Sequence, residues 1–266
     1  MPIEVSLEAL RERRRSLLWW TLGIAALVAL NVAFYPSVRD DEALSDYAKD
    51  LPESVRALFA GGELDLASPV GYLNSQVYAL MAPLLLLIFS IGAGAAAVAG
   101  EEERGTLDLV LTHPVRRRDY VVQRLLALAV LVTALTLILL ATVALGSLAV
   151  DLEISFARLV SASVSVGLLA LLFGTVALAA GAVKSGRARA IAVAAGLAVA
   201  SWMFDGLAQA VDALEPWRPL LPYYHALGQN PLREGAQWGG WAILVAATAV
   251  LAACAAAGLE RRDVRQ

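Results

Sequence analysis

The sequence predicts an all-α membrane protein with six transmembrane helices, and three observations carry that prediction. Hydrophobic residues make up 59% of the chain and its mean hydropathy is +0.67, against the roughly 45–50% apolar content of soluble domains. Six apolar runs are each long enough to cross about 30 Å of hydrocarbon. The basic residues then sort by loop: fifteen of the 21 Lys and Arg fall in alternate polar segments, on the side that holds both termini. Such an excess marks the cytoplasmic face, so the termini and the loop between the second and third spans are expected there.

The elements follow in order. Residues 1–16 place Ile3, Leu7 and Leu10 at helical spacing among Arg and Glu, which predicts an amphipathic helix lying on the membrane surface. It leads into a first span at about 17–35. That run ends at Asn31–Pro36 without a small-residue cleavage pattern, so it reads as a retained helix. Residues 37–76 carry eight acids, and Leu51, Val55, Leu58 and Phe59 recur at helical spacing behind Pro52, which predicts a short amphipathic helix on the outer face. The second span covers about 77–99, with small residues that permit close helix approach.

The third span is expected at 121–150, the fourth at 158–183, the fifth at 190–211 and the sixth at 238–259, so that 1–266 forms one transmembrane unit. Gly167, Gly174 and Gly181 sit seven residues apart on the fourth span. They form either a pathway or dimer-contact face or an ordinary seam within the chain. Between the fifth and sixth spans, four prolines with Trp217, Tyr223 and Tyr224 break any straight helix, and the segment reads as a re-entrant or surface-lying hairpin. Asp205 is the ionisable residue nearest a span interior. It either serves a substrate or gate or reaches the outer interface beside Gly206 and Gln209.

Catalytic patterns are missing. His113 and His225 fall in loops on opposite sides of the predicted membrane, and the sequence holds neither H-E-x-x-H nor G-x-S-x-G. Its one Lys-Ser pair, Lys184-Ser185, follows Val183 rather than the glycine of a phosphate-binding loop. Cys254, the single cysteine, excludes an intrachain disulfide and a cysteine-based metal cluster. No nucleic-acid partner is indicated.

The stretch 100–124, GEEERGTLDLVLTHPVRRRDYVVQR, has a pattern of its own. Gly105 and Thr106 can open a short helix, with the Thr106 hydroxyl as cap and Asp108 in the first turn. Leu107, Val110 and Leu111 then form one small apolar face, and Pro114 ends it. Two turns cannot span a bilayer or build a core, whereas Arg116, Arg117 and Arg118 suit an anionic cytoplasmic leaflet. The pattern predicts a docking knob for another protein.

The order and spacing of Glu101, Gly105, Thr106, Leu107, Leu111, Pro114 and Arg117 resemble the signature of ABC-2 type transporter permeases. Within that family the chain is most similar to actinobacterial-style multidrug and polyketide exporter permeases, and more distantly to the permease of the nitrous oxide reductase maturation system. The resemblance implies that the 100–120 loop is a coupling helix, formed by Glu101, Gly105, Thr106, Leu107, Leu111 and Pro114, which seats in a separate ABC ATPase, and Val110 joins them through its place on the apolar face. It further implies two ATPase copies, a second permease copy or a homologous permease, ATP and Mg bound by the ATPase rather than by this chain, and residence in the cell membrane. The expected function is export of hydrophobic or amphiphilic small molecules. Two alternatives stand beside it: an ion-driven secondary transporter, and a membrane scaffold or enzyme working without an ATPase.

Overall fold

A computed structural model describes residues 14–38, 50–52, 55, 68–103, 117–150, 152–183 and 186–261. Among them every regular element is helical, and six helical stretches are long and apolar enough to cross a membrane. The protein is a multi-pass membrane protein. Span 1 is α1 (Arg14–Val38), and span 2 combines α2 (Pro69–Leu73), a π turn (Asn74–Tyr78) and α3 (Met81–Ala97). A short α4 (Ala99–Glu103) follows, then α5 (Arg117–Ala149), α6 (Phe156–Val183) and α7 (Arg187–Ala210) as spans 3, 4 and 5. A 3-10 turn (Glu215–Leu220), α8 (Pro222–Ala226) and α9 (Pro231–Glu234) lead to α10 (Trp238–Arg261), span 6. The chain alternates direction, so Arg14 and Arg261 share one end of the bundle, here the terminal end. The predicted surface helix at 1–16 and the amphipathic helix at 51–59 lie almost wholly outside the described residues.

The bundle is organised around α6. Of its most apolar stretch, 72% is buried inside the chain, against 17% for α1. Lipid is as apolar as a leucine side chain, so helices in a membrane gain little from hiding grease and must fit closely instead. Small residues supply that fit. A Cβ on Gly94 of α3 would strike the Gly174 carbonyl oxygen of α6, one on Gly167 would meet Thr136 of α5, and one on Gly181 would press on Ala99 of α4. The seven-residue glycine row therefore lies against three other elements of the same chain. Polar side chains in the spans are satisfied locally: Thr136, Thr142, Thr175 and Thr248 each donate to the carbonyl four residues back. Between helices, Tyr78 pairs with Ser163 at 2.9 Å and the Trp241 indole donates to Ser165 at 2.8 Å.

Span 2 begins at Pro69, eight residues before the Val77 that hydropathy alone picks out. Ser68 caps it, its hydroxyl accepting from the Gly71 N–H at 3.1 Å. Asn74 and Ser75, polar enough to read as loop, are buried instead against the bundle. The π turn ends at Ala79, whose N–H donates to the Asn74 carbonyl at 2.7 Å. Leu80 then leaves helical geometry (φ −133°, ψ −54°) before α3 starts. At the other end Val98 does the same (φ −120°, ψ −61°), so α3 is a rod with a break at each end.

Candidate functional site

Two clusters of charge sit at opposite ends of the bundle, and an apolar groove approaches the second. At the terminal end, α4 leaves span 2 after the Val98 break and carries Glu101 inward. That carboxylate is buried, and it accepts from the Tyr120 hydroxyl at 2.6 Å and from the Arg124 guanidinium. Tyr120 lies within 3.0 Å of the Ala97 carbonyl oxygen as well, and Arg124 stacks over its ring at 5.1 Å from the centroid. Beneath them Val98, Val121, Leu178, Ala255 and Leu259 form a buried apolar layer. Glu103, two residues on, turns the other way and accepts from the Arg187 backbone N–H at 2.8 Å. A carboxylate there meets an unpaired donor and the positive end of the 24-residue α7. Gly186, at φ +116°, supplies the left-handed turn that opens α7.

Gly105, Thr106, Leu107, Val110, Leu111, Pro114 and Arg116 lie outside the described residues. On their flanks, Glu101 on one stem is joined to Tyr120 and Arg124 on the other. Arg117 opens α5, and Arg118 is exposed in its first turn. Of the predicted contact residues, Glu101 alone is described, and it faces its own chain. Tyr120, Arg124 and Arg187 were not singled out from the sequence. The available signal was Tyr120 and Arg124 standing one helical turn apart, opposite an acid on the preceding stem.

At the far end Asp205 is also buried. Arg218 of the 3-10 turn donates through Nε to its Oδ1 at 3.1 Å, and the Gln209 amide reaches Oδ2 at 3.4 Å. The guanidinium lies 5.2 Å from the Tyr224 ring centre. Asp205 and Gln209 border a chamber of about 30 Å3 shared with Asn74, Tyr223 and Asn230, room for one or two waters. Burial pushes the Tyr223 phenol far above its ordinary pKa, and the Asp205 charge adds to the shift, so this hydroxyl stays protonated.

The groove, about 430 Å3, runs between α3 and α7 and is lined by Leu84, Leu87, Ile88, Ile191, Ala195 and Trp202 among others. Its walls are almost entirely apolar. Leu84, Ile88 and Val199 are half exposed along its rim, so it opens sideways from the bundle. Among the described residues no three His, Cys, Asp or Glu side chains gather as metal ligands. His225 uses its Nε2 on the Pro219 carbonyl at 2.7 Å. Among the described residues the arrangement offers two charge clamps and an apolar path.

Comparison with known proteins agrees with that character. Over 143 residues the chain is 34% identical to a Pseudomonas aeruginosa protein named "Probable ABC transporter permease protein NosY". The match takes in 54% of this chain and 50% of the relative, so it spans about half the length of that protein. The profile described as ABC-2 family transporter protein matches residues 5–264, nearly the entire sequence. With six apolar spans, a lateral groove and a family match of that extent, the chain belongs to the ABC-2 family of transporters.

Proposed function

We propose that this chain is the permease subunit of an ATP-binding cassette transporter of the cell membrane. Its terminal end lies in the cytoplasm, where the basic loops gather. It works as a pair of permeases with two copies of a separate ATPase, which bind the ATP and Mg. The Leu107, Val110 and Leu111 face of the 104–116 stretch is the docking surface, and Arg116, Arg117 and Arg118 hold that stretch at the lipid headgroups. Cargo is hydrophobic or amphiphilic and moves outward along the groove between α3 and α7, whose lining suits nothing strongly hydrated.

The observation that carries this reading is the clamp at Glu101. A loop that receives force must have stems that do not give independently. Here Tyr120 and Arg124 bind the carboxylate at the end of span 2 to the start of span 3, while Glu103 reaches the first N–H of span 5. A push on the loop therefore moves three spans together as a rigid-body tilt. Glu101 is in this view a positioning residue, and the partner's contacts are made beyond it. The test replaces Leu107 and Leu111 with Asp: the ATPase should no longer co-purify, and ATP-driven transport in proteoliposomes should stop. Retained ATPase with persisting transport would sink the docking assignment.

A further inference from the structure

The groove and the polar chamber share two side chains, Trp202 and Tyr223, which stand between them. Trp202 belongs to α7, but Tyr223 belongs to the segment joining α7 to α10. The position of this wall thus depends on how that segment is held. On the α10 side the hold is backbone against backbone: Gly240 approaches the His225 carbonyl so closely that a Cβ could not be added. On the α7 side Tyr223 and Ala226 pack among Ala194, Ala198 and Trp202, and the directed bonds are polar. Arg218 grips Asp205 at 3.1 Å, and the Tyr223 N–H reaches the Ser201 hydroxyl at 3.5 Å, the far limit of a hydrogen bond.

Those two attachments differ in how they let go. Interlocked backbone loses its contact only if the elements part, whereas a charge-assisted bond to a single carboxylate oxygen breaks with a small displacement. A buried ion pair adds little net stability compared with apolar groups of the same size, so its presence inside a span calls for another explanation. Each partner also keeps support when the two separate. Arg218 retains the Tyr224 ring on its own segment, and Asp205 retains Gln209 on its own helix.

We propose that Asp205 and Arg218 are a positioning pair for transport, which holds Tyr223 in place and so closes the outer end of the α3–α7 groove. Release of Arg218 lets the segment swing about its α10 edge and joins the groove to the outer water through the chamber. This rests on the reading of the groove as part of the transport path. It assigns Arg218 of the 211–237 segment a role in a step that the cytoplasmic loop alone cannot perform.

The test places a cysteine at Ala198, a buried groove residue, with the native Cys254 changed to Ala. The protein is held in lipid nanodiscs without ATPase and treated with a membrane-impermeant maleimide. Labelling should be slow in this parent and rise roughly tenfold when Asp205→Asn or Arg218→Gln removes one charge, the population change that a lost charged hydrogen bond produces. The exchanged pair, Asp205→Arg with Arg218→Asp, should return the rate to that of the parent. Arg218→Lys, which keeps the charge without the Nε donor, should fall between and serves if the neutral variants do not fold. Unchanged labelling in the folded single variants, or an exchanged pair that labels as fast as they do, overturns the proposal. Because labelling needs no ATPase, its outcome is independent of the Leu107 and Leu111 experiment.

Discussion

The two ends of this bundle each bury a carboxylate against an arginine, yet they use the pair in opposite ways. Glu101 and Arg124 are carried on stems that converge, and the same carboxylate takes a second bond from Tyr120, so three groups on two helices lock together. Asp205 and Arg218 are joined by one direct bond, and Arg218 sits on a 3-10 turn rather than on a long helix. The first arrangement resists relative motion of its helices; the second permits it. A buried pair is therefore not one device: what it does follows from the number of bonds and the stiffness of what bears them.

The sharpest way to break this comparison is Glu101→Ala. It leaves the Arg124 charge buried and unpaired, a loss of about 3–5 kcal/mol, seen as a large drop in thermal midpoint in detergent. Replacing Glu101 and Arg124 together by Met should recover most of that stability while ATP-driven transport stays low, which would separate positioning from folding. At the far end Asp205→Ala should cost less, about 1.5–3 kcal/mol, because one bond between elements is lost there, from Arg218, against the two that Glu101 takes from Tyr120 and Arg124. If the two substitutions cost the same, the stiff-versus-loose distinction fails. Glu103→Ala is the smallest expected effect, about 0.5–1 kcal/mol, since an exposed cap at a helix N-terminus is partly replaced by water. It should appear as faster hydrogen exchange at the first amides of α7 rather than as a shift of the whole transition.

Much of the fold was legible in the sequence because membrane spans are written locally, in length and hydropathy. The glycine spacing on α6 was legible too, but not what the glycines touch: Thr136, Ser90 and Ala99 come from three elements far away in the chain. Span 2 was read short because Asn74 and Ser75 are polar, and only tertiary burial keeps them helical. The site divides likewise. Glu101 could be singled out by its place in a spaced motif, and Asp205 by its apolar surroundings. Their partners could not be read, since Arg124 and Arg218 look like ordinary loop-side cations until the helices are assembled.

The π turn at Asn74–Tyr78 has a consequence for how span 2 tolerates change in length. A π turn holds one more residue than the α turn it replaces, and one residue is about 100° of rotation around a helix axis. The five residues of α2 and the seventeen of α3 are thus set at different phases. Tyr72 reaches the Asn31 carbonyl from the first piece, while the second presents Gly94 to α6. Deleting a single residue between them, such as Gln76, would remove that extra residue and turn one face away from its neighbour. The extra residue acts as a phase spacer that lets two faces of one span vary separately.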